Sequence, residues 1–210
     1  MSDAPTASQT AHQQQTVRRL ETFSDIVIAF TLSQLAFTLR VPQHSSDLIA
    51  HPFPVTAFLF SFILVCGLWW LHHRLFSKYF FPDTASVLLN FAFLAATVYV
   101  AYSLLLVNTF GDKIALGAYS ASTGCAFGLL AVLLAKGVRD PRLGAGDPER
   151  HEGAQLAIRV GIVGIGAFVA GACALLGQPD RVILAVWLGT ALVVLILRLV
   201  RRRASSGAVS

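Results

Sequence analysis

Six apolar stretches of helical length run along this 210-residue chain, separated by short segments rich in proline, glycine and charge. They lie at 18–40, 53–74, 84–110, 114–137, 155–177 and 181–200. A helix of about 20 residues crosses the ~30 Å hydrocarbon core of a bilayer, where backbone polar groups must be satisfied internally, so each stretch predicts a membrane-spanning helix. Pro42, Pro52, Pro54, Pro82 and Pro179 fall at or between the ends, where a missing amide proton interrupts no helix, and Asp83 or Thr84 can cap the third helix. The expected fold class is all-α, a polytopic membrane protein with six transmembrane helices within residues 17–203. Residues 1–16, rich in Ser, Thr, Gln and Ala, and residues 204–210 read as disordered cytoplasmic tails. The stretch 138–153, with Pro141, Gly144, Gly146 and Pro148, is the longest connection and resembles no folded domain.

Composition agrees with this pattern. The chain is 55% hydrophobic and 13% charged, against roughly a quarter charged in an ordinary soluble domain. A net charge of +5 does not point to nucleic acid, because the basic residues sit between and after apolar runs without interleaved aromatics. Their distribution instead orients the chain. With the N terminus inside, thirteen basic residues (Arg18, Arg19, Arg74, Lys78, Lys136, Arg139, Arg142, Arg150, Arg159, Arg198, Arg201, Arg202 and Arg203) face the cytoplasm, and only Arg40, Lys113 and Arg181 face the other side. Both termini are therefore expected to be cytoplasmic. Arg18-Arg19 before an apolar run imitates an export leader, but Asp25 interrupts that run and no small-residue cleavage site precedes Arg40-Val41-Pro42, so no cleaved leader is expected. Cys66, Cys125 and Cys173 lie inside apolar runs without C-x-x-C spacing, so neither a disulfide nor a metal site is expected.

The first helix departs from lipid-facing composition. Ser24, Asp25, Thr31, Ser33, Gln34 and Thr38 all fall within it, and an ionisable residue in a span costs a few kcal/mol unless it faces protein or water. At about 100° per residue, Ser24, Thr31, Gln34 and Thr38 gather on one stripe, with Phe30 and Phe37 beside Gln34. Two readings stay open: a pore or substrate lining, or an ordinary buried helix whose hydroxyls bond back to their own carbonyls.

Arg19-Leu20-Glu21-Thr22-Phe23-Ser24-Asp25 resembles the R-x-x-x-F-S-D signature of the transmembrane-protein-175 family, the unconventional potassium channels of lysosomes and many prokaryotes. Trp69-Trp70-Leu71-His72-His73-Arg74-Leu75-Phe76 looks like the family's second-helix segment, and Asn90 like its third-helix asparagine. The resemblance covers the first three helices well and the last three only as hydropathy. It implies a six-helix subunit with no selectivity-filter loop, four copies of which place their first helices around a pore permeable to potassium ions, with protons as a second candidate. Lysosomal relatives carry two such units per chain and this chain one, which favours a homotetramer. The hydrophobic constriction would fall on Phe30, Gln34 and Phe37, with Ser33 matching a hydroxyl tied to potassium preference. Relatives usually hold Ile or Leu where this chain reads Phe, Gln and Phe. The implied location is the cell membrane of a prokaryote, with the lipid bilayer as surroundings and no cofactor.

Other signature residues (Arg19, Phe23, Ser24, Asp25, Trp69, His72, His73 and Asn90) read as a structural network instead of ion ligands. Arg19 and Asp25 lie about 240° apart around the helix and cannot pair on one face, so neighbouring helices must supply their partners. For His72 and His73 the alternative is an interfacial pair solvated by headgroups. A metal site on adjacent histidines is disfavoured, since neighbours on a helix diverge by about 100°. Gly124 and Gly128 form a G-x-x-x-G pair, and Gly117, Ala121, Gly161, Gly164, Ala167 and Gly171 continue a small-residue spacing suited to close helix packing. No G-x-S-x-G, Walker loop or H-E-x-x-H occurs, so no enzyme is expected. A proton-coupled transporter using Asp25 and the histidines, and a non-conducting membrane assembly protein, are the competing functions.

Overall fold

The computed structural model describes residues 7–39, 44, 46, 50, 52–143 and 146–206, with the side chains of 7–10 and 200–206 left aside. The described residues form six α-helices and one 3-10 turn: α1 (Ala7–Ala36), α2 (Phe53–Lys78), α3 (Thr84–Phe110), α4 (Lys113–Arg139), the turn Pro141–Leu143, α5 (Asp147–Leu175) and α6 (Asp180–Ser206). Five of them, α2 to α6, are long and apolar enough to cross a membrane. The chain is thus an all-helical, multi-pass membrane protein. The polar N-terminal half of α1, with the hydroxyls further along it, keeps that helix below the same apolar standard.

Several boundaries differ from the sequence reading for local reasons. Helix α1 starts at Ala7, so residues 7–16 of the expected disordered tail are helical. Ala and Gln are good helix formers, and neither Gly nor Pro interrupts that run. Residues 1–6 and 207–210 of the two expected tails lie outside the described residues, as does Arg40. Residues 204–206 continue α6. Helix α5 begins at Asp147, shortening the connection expected over 138–153. Proline at the first turn fits a helix start, where no intrahelical amide bond is lost, and Asp147 and Glu149 favour the positive end of the helix dipole. Of the two cap candidates before α3, Asp83 is the cap, accepting from the Ser86 amide at 2.8 Å.

Successive helices alternate in direction. Gly111, at φ 64°, ends α3 in the left-handed conformation, and Asp112 then caps α4 by accepting from the Ala115 amide at 2.7 Å, so two residues reverse the chain. One end of the bundle is tied by side chains from the C-terminal ends of α2 and α4 and the N-terminal ends of α3 and α5. Arg74 pairs with Glu152, the Tyr79 hydroxyl donates to the Glu149 carbonyl at 3.2 Å, and Lys136 donates to both Asp83 oxygens at 2.8 and 2.6 Å. The Lys136 ammonium, followed by the Ser86 amide, holds the Asp83 carboxyl well below the usual carboxylate range. At the opposite end Lys113 pairs with Asp180, and the Asn108 amide donates to the Thr38 carbonyl at 3.3 Å.

Helix α1 packs on α2 and α3, α3 on α4, α4 on α5, and α6 chiefly on α5. The main core includes Ile28, Leu35, Leu68, Phe93, Leu104, Leu130 and Leu134. Buried hydroxyls add cross-helix bonds, Ser61 with Tyr119 at 2.8 Å and Ser103 with Ser122 at 3.0 Å. The small-residue stripe forms the α4–α5 seam. A methyl group at Gly164 would lie 3.0 Å from the Gly128 nitrogen and 3.3 Å from the Gly124 carbonyl oxygen, and one at Gly171 would lie 3.3 Å from the Gly117 carbonyl oxygen. Contact of backbone with backbone at this range leaves no flexible side chain to move aside. Gly164→Val should therefore destabilise the fold by about 1–3 kcal/mol through overpacking. Gly67→Ala, where no heavy atom lies within 4 Å of the added carbon, should not. Melting temperatures of the two purified variants in one detergent check this, and equal values would remove the seam from the account of stability.

Candidate functional site

Helix α1 has two unlike faces. Ser24, Ile28, Thr31, Leu35 and Thr38, spaced by four and three, are buried against the rest of the chain. Each hydroxyl on this face is satisfied by its own helix: Ser24 donates to the Leu20 carbonyl at 2.8 Å, Thr31 to Val27 at 2.9 Å and Thr38 to Leu35 at 2.7 Å. Small side chains with internally bonded hydroxyls permit close packing without orphaned polar groups. On the other side Ile26, Phe30 and Phe37 are 63%, 60% and 76% exposed. Ser33, also exposed, donates to the Ala29 carbonyl at 3.2 Å.

The expected stripe of Ser24, Thr31, Gln34 and Thr38 therefore divides. Its three hydroxyls face the bundle, Gln34 is half-buried at the boundary, and Phe30 and Phe37 lie on the uncovered side. The reason is angular, because Phe30 and Phe37 are about 100° and 120° around the helix from Thr31. Ile26 shares their face and is absent from the candidates drawn from sequence. Its exposed position follows from the same spacing, being four residues before Phe30.

The signature residues lie at the junction of α1, α2 and α3. The Ser24 hydroxyl, having given its proton to Leu20, accepts from the Asn90 amide at 3.0 Å. This turns the Asn90 carbonyl oxygen toward His72, whose Nε2 is 2.8 Å away and serves as donor. His72 and Asn90 are both fully buried. The imidazole stacks on Phe93 with centroids 5.1 Å apart and leans on Phe76 at 4.6 Å. One directional chain, His72 to Asn90 to Ser24 to the Leu20 carbonyl, thus links three helices.

A second set is more exposed. The Trp69 indole donates to Asp25 at 3.0 Å, and the same indole stacks on the His73 ring at 6.0 Å. His73 Nδ1 lies 3.2 Å from a Glu21 carboxylate oxygen. Phe23 meets Phe91 edge to face at 6.0 Å, while Arg19 is exposed and lines a groove of about 340 Å3 with Phe23 and Phe91. Arg19 and Asp25 thus stand apart. Glu21 and Phe93 take part without having been singled out: Glu21 occupies a variable place inside the signature, and Phe93 resembles any core residue, whereas Phe76 closes the second-helix segment that resembles the family's. Among the described residues, no three His, Cys, Asp or Glu side chains converge as metal ligands would.

This geometry predicts an order of damage. Asn90→Leu leaves the His72 donor and the Ser24 acceptor without their partner in a buried place, at about 1–3 kcal/mol per orphaned group. Asp25→Ala removes one bond at a half-open position and should cost less. Thermal challenge followed by size-exclusion chromatography should show Asn90→Leu losing folded protein at the lower temperature, and the reverse order would displace the buried chain as the main tie.

Comparison with known proteins fits the same three helices. Residues 19–100 match the family model described as endosomal/lysosomal potassium channel TMEM175. A protein named potassium channel from Marivirga tractuosa is 32% identical over 96 residues, which is 46% of this chain and 39% of that protein. Another so named, from Chamaesiphon minutus, is 32% identical over 110 residues, 49% of this chain and 51% of that protein. The chain therefore spans about half the length of these relatives, or less. Among solved structures, a lysosomal potassium-selective channel TMEM175 homolog from Chamaesiphon minutus superposes with a TM-score of 0.68 at 22% identity, covering 88% of this chain and 97% of that one. A variant of the potassium channel MtTMEM175, in complex with a nanobody-MBP fusion, gives 0.66 at 19% identity, covering 90% and 93%. The two superpositions establish a shared fold across nearly the whole chain.

Proposed function

We propose that this chain, whose residues 19–100 match the TMEM175 family model, is a potassium-permeable cation channel formed by four copies, with α1 of each around a central pore. The observation that carries this reading is the two-faced character of α1. One face is packed on α2 and α3, the other is uncovered within the subunit, and Ser33 and Gln34 make the helix a poor neighbour for lipid. Identical copies placing this face around an axis would cover it without any new kind of surface. All six helices span the membrane in this arrangement. The signature end, to which α4 and the nearby turn contribute Lys136, Arg139 and Arg142, faces the cytoplasm together with both termini, in the cell membrane of a prokaryote. No filter loop is required, and the names of the relatives support potassium as the permeant ion.

Phe30 and Phe37 are seven residues apart, so they lie nearly in line and about 10 Å apart along the helix. Four copies of each would form two apolar rings that close the pore by expelling water. Gln34, on the flank between them, would bring amides near the axis that hold water, and Ser33 would offer a hydroxyl on the other flank. Two separate gates follow. The signature network holds α1 in place and coordinates no ion.

Phe30→Ala should then raise basal potassium flux, Phe30→Asn should raise it further, and the Phe30→Ala, Phe37→Ala double variant should leak more than either single alanine variant. Purified protein in liposomes with an imposed potassium gradient, and valinomycin as positive control, gives the readout. A double variant with no more flux than the wild type at equal reconstituted amounts would remove α1 as the constriction. Topology is checked separately: a C-terminal alkaline phosphatase fusion should be inactive in a bacterial cell, and an active fusion would invert the assignment.

A further inference from the structure

A groove of about 660 Å3 lies where α4 ends, away from the uncovered face of α1. Val132, Ala135, Lys136 and Arg139 of α4 line it, spaced as one helix face, together with Asp83 and Arg142. Its two ends differ in chemistry. Val132 is 51% exposed and apolar, while Arg139, also exposed, sits seven residues on, about 10 Å along the axis.

The charges within the groove are unevenly used. Lys136 is spent on Asp83 and on the Ser86 hydroxyl, at 2.8 Å. Arg142 donates through Nε and Nη2 to Asp140 and through Nη2 to Asp83, with its guanidinium carbon 3.7 Å above the Phe81 ring. Three cations thus meet two carboxylates, and among the described residues Arg139 has no acidic partner. The surplus positive charge lies at the end of a membrane span, beside an apolar strip on the same helix. A free inorganic anion would leave that strip unused.

We propose that this groove binds an anionic glycerophospholipid, its phosphate held by Arg139 and the unengaged edge of Arg142 and an acyl chain lying along Val132 and Ala135. The occupant comes from the bilayer in which α4 is embedded, and the site does not depend on the channel reading. Each guanidinium is a planar fork donor suited to the accepting oxygens of a phosphate, and the apolar strip suits the chain attached to it.

Native mass spectrometry of the purified full chain, titrated with dioleoyl phosphatidylglycerol, dioleoyl phosphatidylcholine or inorganic phosphate, tests the site. Phosphatidylglycerol should be retained in preference to phosphatidylcholine. Arg139→Gln should weaken its retention about fivefold, as expected for one basic charge at an anionic membrane surface. Val132→Asn should weaken it without changing the charge, and Arg181→Gln should leave it unaltered. Both groove residues are exposed, so unchanged melting temperatures in the absence of lipid would show that folding is intact. Equal retention of phosphatidylcholine, wild-type retention by Arg139→Gln, or displacement of phosphatidylglycerol by inorganic phosphate alone would each overturn the proposal.

Discussion

The buried hydrogen-bond chain from His72 through Asn90 and Ser24 to the Leu20 carbonyl sets the geometry on which the rest of the membrane domain depends. In an apolar interior an unpaired polar group is costly, so each of these groups confines its partner to a narrow range of positions. An aliphatic contact between the same helices would tolerate sliding by a fraction of a turn, whereas a directional relay does not. The Phe93 and Phe76 rings pack against the imidazole, which is fully buried. Three consecutive helices are thereby fixed relative to one another at one end of the bundle.

The opposite half of the subunit is held by different means. Helices α4 and α5 approach through glycine and alanine, and the gain there comes from contact between backbones over a long seam. Lipid offers no hydrophobic drive for helix association, so shape has to supply what polarity supplies at the α1 end. Helix α6 carries Leu184, Leu188, Leu192 and Leu195 exposed and packs chiefly on α5, which suits contact with acyl chains. The division places the buried polar relay next to the helix proposed to line the pore, and the close glycine seam away from it.

Much of this was legible in the sequence. Proline positions and apolar lengths located all six helices, and α3 matches its expected range residue for residue, because Asp83 and Gly111 are strong chemical stops. The signature pointed to Ser24, Asp25, Trp69, His72, His73 and Asn90, and the structure brings these to one junction. What periodicity could not resolve was the direction of each hydroxyl. A serine bonded to its own helix and a serine lining water look the same in sequence, and on α1 the first kind proved to be the packed face. The tail from Ala7 is helical through the propensity of Ala and Gln, a signal that hydrophobicity does not carry. Glu21 carries no sequence signal, since it fills a position that the signature leaves free and its partner His73 lies 52 residues away.

The separation between signature and proposed pore face has a simple angular basis. Asp25 and Phe30 are five residues apart, about 140° around the helix, and Ser24 and Phe37 are thirteen apart, about 140° in the opposite sense. A side chain held by α2 or α3 at the signature therefore turns Phe30 and Phe37 away from both helices. Slipping α1 by one residue would rotate its face by about 100° and place a phenylalanine in the packed interface where a threonine now fits. The polar relay forbids that slip, because Ser24 would leave Asn90 without an acceptor. The relay thus fixes the rotation of α1 as well as its position, and the proposed phenylalanine face owes its direction to residues on the other side of the helix.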